Sequence, residues 1–221
     1  MGLKPDGKTP NMKLFDMHKA PNPRRVRIFL AEKGISLPME QVDIQAGDNL
    51  KPHYLAINPR GVLPTLLLDD GSILDESMAI CRYFEMVQPE PNLFGRDPLE
   101  AAQVEQWQRR MEFDGMYNIA AAFRNGQPAY AGRAQPGAGP ETAQIPALAA
   151  RGAMLAAAWL DGLEARLEGR DYLAATRFTV ADITAFVCID FARWIGLRAG
   201  EAHPNILAYH ARIKARPSSQ A

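Results

Sequence analysis

Apolar and polar positions follow two different patterns along the chain, and the change between them falls near residue 88. Before it, short apolar runs predict strands from Lys13 to Asp16, Met39 to Ile44 and Thr65 to Leu68. After it, apolar residues recur at helical spacing almost to the end of the chain. The pattern therefore predicts an α/β domain followed by an all-helical domain.

The first helix is predicted between the first two strands. Asn22 is expected as its N-cap and Pro23 as its first residue, because Asn caps helices well and proline suits the first turn. The apolar stripe runs to Lys33, and Gly34 ends the helix. Strand, helix and strand within about thirty residues predict a parallel βαβ unit with a right-handed crossover. Most of the arginines that lie off the stripe are predicted to be solvated: Arg24, Arg25 and Arg27.

A ββα unit is predicted to follow, after a short helix from Lys51 to Ala56. Leu63-Pro64 precedes the third strand, a position that tolerates a residue without a backbone donor. Asp69-Asp70-Gly71 predicts a tight turn into a return strand from Ser72 to Leu74. A helix is then predicted to begin at Ser77.

Two features of this segment favour a binding site. The backbone at Leu63 is predicted to lie on an exposed edge. The helix that begins at Ser77 presents unpaired N–H groups and the positive end of its dipole. An edge beside an anion site suits a short peptide with a free carboxylate. Each feature alone is common at strand starts, turns and helix starts in proteins of any function. The order and spacing of the features are what favour a binding site.

Prolines and a glycine between residues 88 and 98 interrupt the pattern and predict a linker. The expected organisation is a polar tail at 1–11, an α/β domain at 12–87, a linker at 88–97 and a helical domain at 98–221. Thr179-Val180-Ala181-Asp182 matches a capping box, and the helix behind it is apolar nearly all round and predicted to be buried. The remaining elements predicted here are a long helix from Leu99 to Phe123, a loop from Gln127 to Pro140, a helix from Pro146 to Leu167 and a last helix after Pro204.

Composition narrows the class of protein. The 25 basic and 25 acidic side chains balance, so neither nucleic acid nor an anionic membrane is an expected partner. No apolar run approaches the ~20 residues of a membrane span, and the first dozen residues lack the apolar segment of a signal peptide. Cys81 and Cys188 form neither a Cys-x-x-Cys pair nor a metal-ligand spacing. They are predicted as buried small hydrophobes, which fits a reducing, cytoplasmic setting.

Four segments together resemble the glutathione S-transferase family, of bacterial type: KLFDMHKAPNPRRVRIFLAEKGI, NPRGVLPTL, ILDES and DYLAATRFTVADITAF. They occur in the family's order and cover nearly the whole chain after the tail. The resemblance implies a thioredoxin-like βαβ-ββα N-terminal domain and a helical-bundle C-terminal domain. It also implies a homodimer that uses glutathione as a substrate in the detoxification of small electrophiles.

The same resemblance implies glutathione contacts, residue by residue. Leu63 is expected to pair its backbone with the cysteinyl unit of glutathione, beside a cis peptide bond at Pro64. Glu76 and Ser77 are expected to hold the γ-glutamyl end. Members of the family often contact the glycyl end of glutathione with residues at the positions of Lys51 and His53. The alternative is that either residue is simply a solvated charge.

The chain departs from the family where its first strand meets its first helix. The family usually places a Tyr, Ser or Cys there, and this sequence has Ala20, which carries no donor. Some bacterial relatives use an asparagine two residues later, so Asn22 is the expected catalytic residue, its side-chain amide donating to the glutathione thiolate. A plain N-cap is the alternative role. The positive end of the first helix, Arg24 and His18 are further candidates.

The electrophile pocket is expected between Met17 and Ala20 on one side and the long helix on the other. At least half of its other candidates are predicted to lie in the core instead: Met111, Phe113, Met116, Tyr117 and Trp194. Two alternative functions stay open, a glutathione-dependent disulfide reductase or peroxidase and a non-enzymatic interaction module on the same fold. Leu63-Pro64 and Glu76-Ser77, occurring together, favour a protein that binds glutathione.

Overall fold

The computed structural model describes residues 12–221, so the predicted polar tail at 1–11 lies outside the described residues. The chain divides into two compact units. One comprises the residues up to Pro91 together with Pro136–Pro140 and Ala221, and the other comprises Asn92–Gln135 and Glu141–Gln220. The predicted combination of a thioredoxin-like α/β domain and a helical domain is confirmed. Among the described helices, none is both long enough and apolar enough to cross a membrane.

The first unit is built on a four-stranded sheet of order β2-β1-β3-β4. Its elements are β1 (Lys13–Asp16), α1 (Pro21–Glu32), β2 (Met39–Gln41), α2 (Pro52–Leu55), β3 (Thr65–Leu67), β4 (Ile73–Asp75) and α3 (Ser77–Val87). β1 runs parallel to β2 and antiparallel to β3, which pairs antiparallel with β4. The predicted βαβ and ββα units are thus confirmed. β2 is shorter than predicted and ends at Gln41. The N–H of Val42 still donates to the backbone oxygen of Asp16 at 2.8 Å, and Val42 and Ile44 pack in the core cluster.

Both faces of this sheet are covered. Leu14 and Phe15 are neighbours on β1 and therefore point to opposite faces, yet both are buried. Phe15 packs edge-to-face on Tyr54 of α2, with ring centroids 5.7 Å apart. The side chain of Leu63 belongs to the same core cluster, so the loop before β3 is anchored from inside the unit.

The second unit is helical. Its longer elements are α4 (Pro98–Arg110), a π-helical segment (Met111–Met116), α5 (Tyr117–Gly126), α6 (Pro146–Leu167), α7 (Val180–Ala192) and α8 (Pro204–Lys214). α4, the π segment and α5 together correspond to the predicted long helix, although the π segment was not predicted. Nδ2 of Asn118 donates to the backbone oxygens of Phe113 and Asp114, at 3.2 and 2.9 Å, and so satisfies carbonyls of the widened turns.

α7 is the central helix of this unit, with nearly every residue buried as predicted. The capping box is confirmed, since Asp182 accepts from the backbone nitrogen of Thr179 at 2.8 Å and the Thr179 side chain caps the helix in return. Asp182 also accepts from the hydroxyl of Tyr209 at 2.9 Å, which ties α8 to the start of α7. Cys81 and Cys188 are both buried, as predicted for small hydrophobes.

Candidate functional site

The loop before β3 is fixed by a buried polar network. The hydroxyl of Tyr54 donates to the backbone oxygen of Val62 at 2.7 Å and lies 2.9 Å from Oγ1 of Thr65. Nδ2 of Asn58 donates to the same Thr65 oxygen at 2.7 Å. Burial raises the pKa of Tyr54 to about 12, so the hydroxyl keeps its proton at neutral pH. These hydrogen bonds hold the backbone between residues 58 and 65 in a single conformation.

Leu63 and Pro64 are joined by a cis peptide bond, as the resemblance implies. The pairing of β3 begins two residues later at Thr65, which faces Phe15 on β1 and Asp75 on β4. Within residues 12–221, neither the N–H nor the C=O of Leu63 has a hydrogen-bond partner. Leu63 therefore presents an unpaired backbone edge, with its side chain anchored in the core, to which an extended peptide can pair.

The hairpin ends in a strained backbone conformation at Glu76. Its φ is 68° and its ψ is 119°, and it is the one non-glycine residue with a positive φ among the described residues. Such conformations cost about 1–3 kcal/mol and cluster at active sites and ligand clamps. The exposed carboxylate accepts from Nη1 of Arg60 at 3.0 Å, and the same nitrogen lies 3.1 Å from Oδ1 of Asp75. The strain therefore falls where a carboxylate stands beside a helix start.

α3 begins at Ser77, as predicted. Within the described chain, the backbone N–H groups of Ser77 and Met78 have no partner, so the helix start offers two donors and the positive end of its dipole. The Ser77 hydroxyl is buried and engaged internally. It donates to the backbone oxygen of Asn22 at 3.1 Å and accepts from Nη2 of Arg25 at 3.3 Å. Ser77 thus joins the start of α3 to the first turn of α1.

The prediction that Asn22 is the N-cap of α1 is wrong. The helix begins at Pro21, and Ala20 is its N-cap residue, without a side-chain cap hydrogen bond. Proline favours the first helical position, and of the two prolines available it is Pro21 that occupies it. Because Pro21 and Pro23 have no N–H, Asn22 alone carries a backbone donor among the first three helical residues.

The side chain of Asn22 is held by Arg25, which lies one turn further along α1. Nη2 of Arg25 donates to Oδ1 of Asn22 at 2.9 Å. The contact fixes which end of the amide faces the guanidinium, so Nδ2 points away with its two donor hydrogens. The predicted solvated face is wrong for Arg25, which is 5 % exposed because it packs between α1 and Ser77. Arg24 is half-buried.

Arg27 is also buried, contrary to prediction. Its Nη1 pairs with Oδ1 of Asp16 at the end of β1, and its Nη2 donates to the backbone oxygen of His18 at 2.6 Å. Gln41 donates to Oδ2 of Asp16 at 2.6 Å and accepts from the backbone nitrogen of His18 at 2.8 Å. Burial lowers the pKa of Arg27. The cluster fixes the backbone of the loop before Ala20, and leaves the ring of His18 exposed.

The two residues expected near the glycyl end of glutathione lie on the surface. Nζ of Lys51 pairs with Oδ1 of Asp48 at 2.5 Å, and this hydrogen bond lowers the pKa of the Asp48 carboxyl. His53 is exposed on α2. In the described part of the chain, no hydrogen bond joins either residue to Leu63 or Glu76, so the structure does not bring them into the same network.

The segment Pro136–Pro140 packs in the first unit, against the residues before Leu63. The N–H of Ala138 donates to the backbone oxygen of Arg60 at 2.8 Å. Glycines permit this approach, since a Cβ at Gly61 would lie 3.0 Å from the nitrogen of Ala138 and one at Gly137 would lie 2.5 Å from the oxygen of Arg60. The sequence predicted a loop here but gave no signal of what it contacts.

The residues expected at the electrophile pocket are distributed over both units. In the first unit, Met17 is half-buried and Ala20 is buried. In the second unit, two of the expected residues are buried, Met111 and Met116. The other three are exposed, namely Phe113, Tyr117 and Trp194. The prediction that at least half of the five lie in the core is therefore wrong. Phe113 lies within the π segment and Tyr117 directly after it, and the widened turns change which face each presents, so a regular helical period does not predict their exposure.

The second unit also contains a cavity of about 430 Å³ beside the π segment. Its lining includes Trp107, Arg110, Met111, Asp114, Leu155 and Trp159. The guanidinium groups of Arg110 and Arg166 lie 4.7 and 4.3 Å from the ring centroid of Trp107. Sequence analysis identified Met111 alone of these residues. Among the residues described, no group of His, Cys, Asp and Glu side chains is arranged to hold a metal ion.

Comparison with known proteins identifies both halves of the chain. The family model described as glutathione S-transferase, N-terminal domain, matches residues 20–87. The model described as glutathione S-transferase, C-terminal domain, matches residues 136–217. Glutathione S-transferase 2 of Saccharomyces cerevisiae is 31% identical over 211 residues, which span 94% of this chain and 87% of that protein.

Solved structures agree with these matches. A glutathione S-transferase domain-containing protein from Marinobacter aquaeolei superposes with a TM-score of 0.85 at 33% identity, covering 94% of this chain and 99% of its own. A glutathione transferase homologue from Sulfitobacter, solved with bound glutathione, superposes with a TM-score of 0.77 at 25% identity, covering 95% of each chain. The chain belongs to the glutathione S-transferase family.

Proposed function

We propose that this protein binds glutathione, stabilises its thiolate and conjugates it to a small electrophile. The observation that carries the proposal is the link between two helix starts. The Ser77 hydroxyl at the start of α3 is bonded to the backbone of Asn22 in the first turn of α1. This bond sets an anion-binding site and a thiolate donor at a fixed spacing, beside the unpaired backbone of Leu63. Membership of the family supports glutathione as the ligand.

In this proposal each part of glutathione meets a complementary group. The cysteinyl unit pairs with Leu63 as a short extended strand. The γ-glutamyl carboxylate accepts from the backbone N–H groups of Ser77 and Met78 at the positive end of α3. The γ-glutamyl ammonium pairs with the carboxylate of Glu76.

The thiol then lies at the start of α1, where Asn22 supplies donors from both its backbone and its Nδ2. A neutral hydrogen bond and a helix terminus each contribute on the order of 1 kcal/mol. Together they lower the thiol pKa by one or two units, at ~1.4 kcal/mol per unit, from a free value of about 8.5. Because Ala20 offers no hydroxyl, we expect weak activity toward a generic aryl halide and better activity with substrates that react readily or bind well.

The chemical step needs little from the protein beyond this. The thiol proton leaves to solvent, and the sulfur donates its electron pair to the electrophilic carbon. A C–S bond forms while the bond to the leaving group breaks, and the leaving group departs with that electron pair. Proximity of the held thiolate to the electrophile accounts for the rate.

The same proposal includes a cytoplasmic homodimer. The two cysteines of the chain are buried and form no disulfide, which suits a reducing compartment. Large apolar side chains are exposed on α3, α4 and α6, namely Met86, Leu99 and Met154 at 77%, 68% and 63%. Light scattering should give about twice the 24.4 kDa mass of the chain, and a value near the single mass would contradict a dimer.

Calorimetry with glutathione, followed by a substrate panel, tests the function. The panel contains an aryl halide, an epoxide, a hydroperoxide and a small disulfide. Saturable binding with turnover of the halide or the epoxide supports a transferase. Turnover confined to the hydroperoxide or the disulfide would replace it by a peroxidase or reductase. Binding without turnover would indicate an interaction module, and absence of binding would refute the proposal.

A further inference from the structure

We propose that Arg25 is a positioning residue that orients the Asn22 amide toward the glutathione thiol; this inference rests on the function proposed above. Nη2 of Arg25 donates to Oδ1 of Asn22 at 2.9 Å and to Oγ of Ser77 at 3.3 Å. Ser77 in turn donates to the backbone oxygen of Asn22 at 3.1 Å. Three residues on two helix starts thus form a closed ring of hydrogen bonds.

The ring decides which end of the Asn22 amide is presented to a ligand. An amide can rotate to present either its oxygen or its NH₂ group, and a thiolate accepts a hydrogen bond from the NH₂ group alone. A guanidinium has no acceptor, so Arg25 can bind only the oxygen of the amide. Nδ2 is thereby turned away from Arg25, available to the sulfur. Without Arg25, nothing in this ring selects the productive orientation.

The positive charge of Arg25 adds to this effect. A hydrogen bond from a charged donor is stronger than one from a neutral donor, and it polarises the amide so that its NH₂ group donates more strongly. Burial preserves the interaction, because at 5 % exposure water competes little for the guanidinium. Arg25 therefore acts on the thiolate through Asn22, without contacting it.

Arg25→Met and Arg25→Lys test the assignment in the full-length protein. The pH titration of bound glutathione, followed by the ultraviolet absorbance of the thiolate, gives the thiol pKa. With Arg25→Met we expect that pKa to rise by about one unit. At a pH below the wild-type pKa, the fraction of bound glutathione present as thiolate then falls about tenfold. Arg25→Lys keeps the charge but not the planar fork, and should fall between Arg25→Met and wild type. If Arg25→Met does not fold, Arg25→Lys alone provides the test.

Three controls separate positioning from other roles. Affinity for S-methylglutathione, which has no thiol, should change less than threefold. Arg82→Met, which removes an exposed positive charge on α3, should leave the titration unchanged. In an Asn22→Ala background, Arg25→Met should have no further effect, because a residue that acts through Asn22 has nothing left to act on.

The outcomes separate this inference from the proposed function. If wild type does not bind glutathione, the function and this inference fail together. If wild type binds and lowers the thiol pKa, but Arg25→Met and Arg25→Lys titrate as wild type does, the inference alone is refuted. It is also refuted if the effect of Arg25→Met persists fully in the Asn22→Ala background, or if Arg82→Met reproduces it.

Discussion

Nη1 of Arg60 lies 3.0 Å from Oε1 of Glu76, at the residue with the strained backbone that precedes α3. Both side chains are more than half exposed, so the ion pair contributes little to folding stability. Its consequence is that a carboxylate is held beside the free N–H groups of the helix start, where the ammonium and carboxylate of a γ-glutamyl group would both find partners.

Glu76→Gln tests this arrangement, since it removes the charge and keeps the size and backbone. We expect glutathione affinity to fall by roughly 1.5–3 kcal/mol, with folding stability changed by less than about 0.5 kcal/mol. Calorimetry and urea unfolding measure the two. Glu40→Gln is the matched control, because Glu40 is an exposed acid paired with Lys13 at 2.9 Å. Equal affinity in wild type and both variants would remove Glu76 from the site.

Ala20→Ser should stabilise the protein. Ala20 is the N-cap residue of α1, its backbone is extended as a cap requires, and it makes no side-chain cap bond. A serine hydroxyl there can accept from the N–H of Asn22, which is worth about 0.5–2 kcal/mol at an N-cap. Urea unfolding should show the gain, with Ala20→Val, which cannot cap, as the control. A serine variant no more stable than wild type would show that Asn22 N–H is not open to a cap.

The stability that Tyr54 contributes should depend on pH. Its pKa is about 12 in the folded protein, against ~10 unfolded, so the folded state holds the phenol proton more tightly. The contribution, on the order of 2–3 kcal/mol, is complete below pH ~10 and is lost as the pH rises through ~12. Tyr54→Phe should be less stable than wild type by about 1–2 kcal/mol near neutral pH, because the oxygen of Val62 loses one of its two donors and keeps only the hydroxyl of Thr65.

That difference between wild type and Tyr54→Phe should shrink as the pH is raised from about 9 to about 11. Urea unfolding at several pH values measures it, and using the difference between variants cancels the titration of other tyrosines and lysines. A gap that stays constant across this range would mean that the hydroxyl is not buried as described.

Gly137→Ala should loosen the contact between Pro136–Pro140 and Arg60. A Cβ at Gly137 would lie 2.5 Å from the backbone oxygen of Arg60, and its φ of 90° disfavours any side chain. We expect a loss of about 1–3 kcal/mol of folding stability. Glutathione binding should also weaken, because the guanidinium of Arg60 pairs with the carboxylate of Glu76. Gly139→Ala is the control, since nothing lies within 4 Å of a Cβ there. Equal stability of the two variants would contradict the packing.

Local signals were sufficient for much of the fold. The helix start at Ser77 could be predicted from the turn and short strand directly before it, and the capping box at Thr179 is contained in four residues. Burial of Arg25 and Arg27 could not be predicted in this way. Their partners come from other elements, and helical periodicity assigns a face from apolar residues alone, so a buried polar network has the same signature as a solvated surface.

The start of α1 shows a second limit. Two prolines separated by one residue, Pro21 and Pro23, both satisfy the rule for a first helical position. Choosing the wrong one shifts every cap assignment by two residues, and it turned Asn22 from a residue of the first turn into an N-cap. The shift releases the Asn22 side chain from capping, and its amide oxygen accepts from Arg25 instead.

The central claim is that the cysteinyl unit of glutathione pairs with Leu63, with its thiol at the start of α1 and the γ-glutamyl group at the start of α3. The most direct test is an NMR titration of the ¹⁵N-labelled full-length protein with glutathione, following the backbone amides. The amide signals of Asn22, Leu63 and Ser77 should shift together with one dissociation constant, while that of Thr179, in the capping box of the second unit, stays in place. Saturable shifts that leave those three amides unmoved would contradict the account.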